Sequence, residues 1–359
     1  MYLYGMQNKE NKLVIYGSYG YTGRLISEIA SDNGFNALLS GRNADALKSQ
    51  AEFLELFYQP ADLSNPAELD KLLKNAAAVI HCAGPFVHTW KPMAEACLRN
   101  GCHYLDITGE ISVFEGLKQM DAKFKKAGLM ALPGVGFDVV PSDCLAVHLK
   151  DKLPDATSLE LAFAGLGGGV SKGTAKSMAE QLGNGSAIRE NGKIKRVLTA
   201  RYSKEIDFGL KTLLAVSIPW GDISTAYTST GIENITVYMA STRKAITMLR
   251  LSNMLNPVLR LKRVRSFLKH QIEKKSDGPD TEKRQSGKSL FWGKVKNNNG
   301  ETRVMRMTTP EGYSLTAQTA ILISQKVLNN NFKPGYQTPA TAFGKDLIFE
   351  VDGIDFTEA

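Results

Sequence analysis

The sequence predicts an α/β protein in two parts: a doubly wound parallel sheet at the N-terminus, then a second α/β domain built on a different sheet. Three observations predict this. Between Lys12 and Asp138, short apolar runs rich in β-branched residues alternate six times with helical stretches. A glycine-rich stretch, YGSYGYTGRLI (Tyr16–Ile26), joins the first such run to the first helix. After about Asp151 the regular alternation stops, and strand-like runs follow one another with one helix among them.

The bulk numbers agree with a soluble globular chain. It has 359 residues, 43% hydrophobic and 22% charged, which suits two domains rather than one. No apolar run approaches the ~18–20 residues that cross a bilayer. The opening MYLYGMQNKENK lacks an apolar signal core, and Met6 is an alternative start; a cytoplasmic location is expected. Cys82, Cys97, Cys102 and Cys144 form no C-x-x-C pair and have no histidine cluster beside them, so free thiols and no metal are expected.

KLVIYG (Lys12–Gly17) reads as the first buried strand, and Thr22–Asn33 as the helix after it. FNALLSGR (Phe35–Arg42) is the second strand and DALKSQAEFL the second helix. LFYQPADL leads into Asp62 as the third strand, and Pro66–Asn75 is a helix with Asn65 as its cap. AAVIHCAGPF, CHYLDITGE and GLMALPGVGFD supply strands four to six, separated by KPMAEACLRNG and a helix over Ser112–Ala127. Beyond Asp151, SLELAFAGLGG, KIKRVLTARY, LLAVSIPW and ENITVYMAST read as strands. SLFWGKVKNNNGETRVMRMTT reads as a hairpin turning at Asn298–Gly300, and EGYSLTAQTAILISQKVLNN as a long final helix.

Gly17, Gly20 and Gly23 follow a strand and open a helix. In that setting small residues permit a tight turn, close approach of backbone to a pyrophosphate and helix–strand packing. The helix N-terminus presents free N–H groups to an anion. The expected cradle is Gly17, Ser18, Tyr19, Gly20, Tyr21, Thr22 and Gly23; a glycine turn without ligand is the competing reading. The second strand ends in Ser40, Gly41 and Arg42 with no acid. A guanidinium suits the 2′-phosphate of NADP, whereas NAD sites place Asp or Glu there; a solvated arginine is the plainer alternative. Asp62 and Leu63 are expected beside the adenine. Ala83, Gly84, Pro85 and Phe86 are expected along the nicotinamide side.

GSYGYTGRL, LSGRN, HCAGPF, YLDITGE, PGVGFDVVPSD, GGGVSKGTAKS and GYQTPATAFG together resemble the saccharopine dehydrogenase-like oxidoreductases, in the branch of the trans-acting enoyl reductases. The resemblance covers nearly the whole chain. It implies a Rossmann-type NADP-binding domain, a second domain around a mixed sheet, and a C-terminal segment that returns to the first. The expected bounds are 11–150, 151–312 with a basic helical insertion at 242–275, and 313–359. Two departures stand out: Lys172, where relatives often have a second glycine, and FVHTWKP, where they tend to carry a small residue near Trp90.

For the chemistry, YLDITGE and GFDVVPSD both leave strands at the ligand edge, with Tyr104, Asp106, Glu110, Asp138, Ser142 and Asp143 as the polar groups. Tyr104, Asp138 and Lys172 are the candidates for catalysis, Lys172 as a cation within reach of a thioester or carboxylate. Ser142–Asp143 is expected to cap the helix that Pro141 begins. Among the histidines His88, beside the nicotinamide turn, is the one worth testing. No Ser-His-Asp or Cys-His arrangement is legible. The expected reaction is NADPH-dependent reduction of an acyl, enoyl or lipid-like substrate, free or on a carrier. An imine reductase of the saccharopine type and a non-catalytic NADP-binding scaffold are the rivals.

The net charge of +8 is local. Between Arg243 and Lys275 there are ten Lys/Arg and one acid, so that segment carries +9 and the rest of the chain −1. Three readings stand: a helical pair with a solvated face, an interfacial helix on an anionic membrane, or a dock for an acidic acyl carrier. Nucleic acid is not expected, because no recognition motif accompanies the charge. A homodimer is a further expectation.

Overall fold

The computed structural model describes residues 12–274 and 277–358. The N-terminal expectations for 1–11, and Lys275 and Ser276 of the basic stretch and following loop, lie outside the described residues.

The first sheet takes β1 (Leu13–Tyr16), β2 (Ala37–Gly41), β3 (Phe57–Pro60), β4 (Ala78–His81), β5 (His103–Asp106) and β6 (Met130–Leu132). Their spatial order is β6-β5-β4-β1-β2-β3, all parallel. The order reverses at β1, which places the switch point between β1 and β4, where open parallel sheets bind ligands. β1 and β4 are buried at every position, as continuous apolar runs covered on both faces must be. Between the strands run α1 (Tyr21–Asp32), α2 (Ala44–Leu54), α3 (Pro66–Leu73), α4 (Phe86–Asn100), α5 (Ile111–Gln119) and α6 (Asp121–Lys126). Asn65 accepts from the amides of Ala67 and Glu68 and caps α3. The stretch expected as one helix over Ser112–Ala127 is two, broken at Met120.

After α7 (Val140–Lys152) the second sheet begins. It holds β7 (Ser158–Leu166), β8 (Ser186–Glu190), β9 (Lys193–Val197), β10 (Ser203–Asp207), β11 (Thr212–Ser217) and β12 (Asn234–Ala240). It is completed by β13 (Lys288–Lys296), β14 (Thr302–Pro310) and a terminal strand at Asp355–Glu358. β12 runs parallel to β7 while β13 runs antiparallel to it, so the sheet is mixed. α8 (Lys172–Gln181) and α9 (Asp222–Thr230) lie between its strands in sequence. KIKRVLTARY is not a single strand: β9 stops at Val197, and β8 and β10 on either side of it carry too little periodic signal to be read from sequence.

The C-terminal segment divides between the two sheets. The long helix Gly312–Leu328 packs on α1, and Gly335–Tyr336 adds a short parallel strand beside β6. The last strand, Asp355–Glu358, instead pairs with β14 of the second sheet. The main apolar core is continuous across both sheets, joining Ile15 and Leu39 to Phe163, Phe291 and Ile321.

Candidate active site

The glycine loop follows from local sterics. β1 ends at Tyr16, and Gly17 takes φ +82°, a conformation that side chains rarely adopt. A Cβ on Gly17 would sit 2.9 Å from the Ala83 nitrogen, so the loop packs on the end of β4. A Cβ on Gly23 would sit 2.3 Å from the Gly17 carbonyl oxygen, so the first turn of α1 rests on the same loop. Gly20 is exposed at the N-terminus of α1, and no side chain caps that end. Its first amides are therefore left for an anion.

The neighbouring side chains mostly brace the loop. The buried Ser18 hydroxyl donates to Gln50 Oε1 (2.8 Å), and Gln50 Nε2 donates to the Ser18 carbonyl (3.0 Å). Ser40 Oγ donates to the Gln59 carbonyl (2.7 Å), while the Ser40 carbonyl accepts from Gly17 and Ser18. The Tyr19 ring lies against Gly41, and its hydroxyl accepts from the amides of Arg42 (3.3 Å) and Asn43 (3.4 Å). Arg42 is exposed at this strand end. Asp62 accepts from the Ser64 amide and hydroxyl, both at 2.8 Å, bonds that hold its carboxyl below the usual range. Thr22 and Leu63 are half-buried nearby. Tyr21 turns elsewhere. Its hydroxyl donates to the Pro279 carbonyl (2.6 Å), and its ring lies against Gly278 and edge-on to Tyr313.

At the end of β4, Gly84 is exposed and Pro85 precedes α4. Glu110, leaving β5, accepts from the amides of Phe86 and Val87 at 2.9 Å each and so caps α4. Ser177 on α8 donates to the same carboxylate (3.2 Å), which lays a helix of the second domain across the turn. His88 Nε2 stands 3.4 Å from Glu180 on that helix. Lys172 begins α8, with Nζ 2.9 Å from Asp277 Oδ1; Arg24 of α1 holds the other oxygen at 3.1 Å. The segment from Asp277 thus ties α1 to α8 beside the glycine loop. His81, behind the turn, is pushed down to about 3 by burial and stays neutral.

Three carboxyls, Asp106, Asp138 and Asp222, collect where β5 and β6 end. Tyr104 is fully buried and donates to Asp106 Oδ2 (2.6 Å), so it positions that group and does not reach the open edge. Asp106 also accepts from the amides of Thr108 and Gly134, and burial raises it to about 6. Asp138 presses Oδ2 so near Gly109 that a Cβ there would lie 2.5 Å away; its Oδ1 is buried without a hydrogen-bond partner. Burial, then the charge of Asp222, push the Asp138 carboxyl well above the ordinary range. Asp222, opening α9, is fully buried; neither oxygen meets a partner at full hydrogen-bond geometry, with the Ser142 hydroxyl the side chain that approaches it, and burial raises it to about 7. Its sequence signal is slight, since an acid after LLAVSIPWG reads equally as a helix start.

Asp143 corrects one expectation. α7 has no side-chain cap: Ser142 Oγ donates back to the Val139 carbonyl, and Asp143 accepts from the Ala340 amide (2.8 Å) and from Ser229. Its carboxylate ties α7 to the C-terminal segment, a partner far away in sequence.

Residues 13–132 match the model of the saccharopine dehydrogenase NADP binding domain. This part of the chain is similar to saccharopine dehydrogenase NADP-binding domains. Its cofactor is accordingly NADP(H), and the uncapped α1 N-terminus, the close-packed glycine loop and the acid-free end of β2 fit that dinucleotide. The chain is 24% identical over 234 residues to a saccharopine dehydrogenase-like oxidoreductase of Rattus norvegicus, covering 55% of this chain and 54% of that one. It is 30% identical over 216 residues to a putative trans-acting enoyl reductase of Mycobacterium tuberculosis, covering 56% and 50%. The chain thus spans about half the length of these curated relatives. An apo saccharopine dehydrogenase (L-Glu forming) of Saccharomyces cerevisiae shares the fold, with a TM-score of 0.67 over 97% of this chain and 99% of that one at 14% identity. Among the described residues no group of three or more His, Cys, Asp or Glu could hold a metal, and no helix is long and apolar enough to cross a membrane.

Proposed function

We propose that the NADP-binding domain serves an oxidoreductase that reduces an acyl, enoyl or similarly apolar substrate at the edge formed by β4, β5 and β6. The observation that carries this reading is Asp138: a carboxyl beside Gly109 after the end of β6, its Oδ1 without a hydrogen-bond partner, with its proton affinity raised well above the ordinary range by burial and then by Asp222. When bound, NADPH supplies a hydride. Asp138 then delivers the proton to the atom left negative, as a general acid with a raised pKa does. Gly109 leaves the space that the Asp138 carboxyl occupies, and Asp222 keeps the proton in place.

The surroundings favour an apolar substrate over an amino acid. The Phe137 ring stands 5.4 Å from Phe163 and 5.1 Å from Phe291, and Phe163 stands 4.7 Å from Trp220. A dicarboxylic imine would need guanidinium partners beside three buried carboxyls. Arg189, the one buried arginine among the described residues, is already committed to the Ile223 and Gly192 carbonyls and to Glu115. The name of the Mycobacterium tuberculosis relative agrees with an enoyl substrate.

The test is NADPH oxidation by purified protein offered 2-enoyl thioesters, imines of amino acids and simple carbonyl compounds in parallel. Turnover of enoyl thioesters supports the reading. Turnover of imines alone moves it to amino-acid metabolism, and tight NADPH binding without turnover of any panel member leaves a scaffold.

A further inference from the structure

The basic stretch separates into two faces. α10 (Arg243–Ser252), a 3-10 turn at Asn253–Leu255, α11 (Asn256–Leu259) and α12 (Lys262–Glu273) follow one another with short breaks. On the inner face Ile246 and Leu249 join a small core with Val216. Four of the cations also face inward. Arg250 donates to the Ala200 carbonyl (3.1 Å), Arg260 to that of Gly183 (2.7 Å) and Arg265 to that of Leu182 (2.8 Å); Lys269 pairs with Glu180.

The outer face runs against the usual pattern. Met248, Leu251, Met254, Leu255, Val258 and Leu261 recur at helical spacing and are exposed, Met254 to 81%. Phe267 adds a ring exposed to 61% on α12. Seven of the sixteen exposed large hydrophobic residues among the described residues fall in this short stretch. Single exposed apolar residues need no explanation, whereas a contiguous set does. Lys244, Lys262, Arg263 and Lys274 are exposed in the same segment and have no ion-pair partner among the described residues. The one acid there, Glu273, is taken by Lys176.

We propose that this face docks on an anionic lipid surface, with the aliphatic side chains entering the headgroup–acyl boundary and the free cations held at the level of the phosphates. Apolar groups mixed with snorkelling lysine and arginine are the composition of interfacial helices. A second copy of the chain would bring the same unpaired positive charges against these, which opposes self-association here. An acidic protein would satisfy the cations, yet the apolar set runs through three successive helical segments and suits an extended fluid surface better than one partner helix.

Co-sedimentation of the full chain with vesicles of phosphatidylcholine, alone or with phosphatidylserine, tests this. The wild-type protein is expected to sediment with the anionic vesicles only, and to be released as ionic strength rises. Lys262→Glu with Arg263→Glu should weaken binding at least about 30-fold, and Met254→Ser with Leu255→Ser about tenfold or more. NADPH binding unchanged in both variants shows that they fold. Equal sedimentation with neutral vesicles, no sedimentation with anionic ones, or a dimer that Met254→Ser with Leu255→Ser dissolves would overturn the proposal. So would anionic-vesicle binding that both variants retain.

Discussion

Lys172 Nζ lies 2.9 Å from Asp277 Oδ1. Lys172 therefore meets an acid from the segment that also bonds Tyr21 and Arg24 of α1. Both partners keep water contact, at 29% and 54% exposure, so the pair contributes under about 1 kcal/mol. Lys172→Ala is expected to lower the melting temperature by only a few degrees at most. If Lys172 acts as an anion clamp as well, the same variant raises KM for a thioester while leaving NADPH affinity alone; steady-state kinetics against both ligands separates the two roles.

Gly17→Ala should destabilise the protein by about 1–3 kcal/mol, because φ +82° and a Cβ 2.9 Å from Ala83 both oppose a side chain. NADPH affinity, read by fluorescence titration, should fall at least about tenfold. Retained affinity would show that the loop does not hold the dinucleotide.

Arg42→Ala should raise the Kd for NADPH about 10- to 100-fold, the loss of one charge-assisted phosphate contact. NADH carries no 2′-phosphate, so its Kd should stay within about threefold. Calorimetry with both nucleotides checks this, and equal losses would remove Arg42 from the specificity site.

Asp138→Asn should lower kcat about 100- to 10,000-fold while NADPH still binds, as expected when a general acid loses its proton. In the wild-type enzyme the rate should fall as pH rises through the raised pKa of Asp138, because the proton is then lost. An unchanged pH profile in the variant would assign the proton to another group.

Asp222 links the same region to stability. Its pKa is about 7 when folded and near 3.9 when unfolded, so the folded chain holds the extra proton between these values. Stability from this group is full below about pH 4 and is lost as pH rises towards about 7. Asp222→Asn should flatten that decline by at least about 1 kcal/mol between pH 5 and 8, measured by urea denaturation at each pH.

Much of the fold was legible because its signals are local. The strand run LVIY, the glycines at 17 and 23 and the Asn65 cap each act over a few residues, and each stands where expected. The second sheet was less legible. β8 is short and buried at four of its five positions, Arg189 among them, and β10 is short and mostly exposed, so neither alternates apolar with polar residues and sequence pattern alone does not mark them. Cradle side chains divided similarly. Tyr19 stays with Gly41 and Arg42, but Tyr21 turns to Pro279, a contact no local rule predicts.

By itself the sequence determined a parallel sheet, a close-packed glycine turn opening a helix and a strand end without an acid, because periodicity, backbone sterics and charge act between near neighbours. Only the tertiary structure decided which acids matter. It buried Asp222 beside Asp138, gave Asp143 to the Ala340 amide, closed Lys172 onto Asp277, and sorted one basic stretch into cations anchored inward and an outer face of exposed apolar residues and cations. Burial and long-range hydrogen bonds set proton affinity and exposure, and both depend on elements that meet only when the chain is folded.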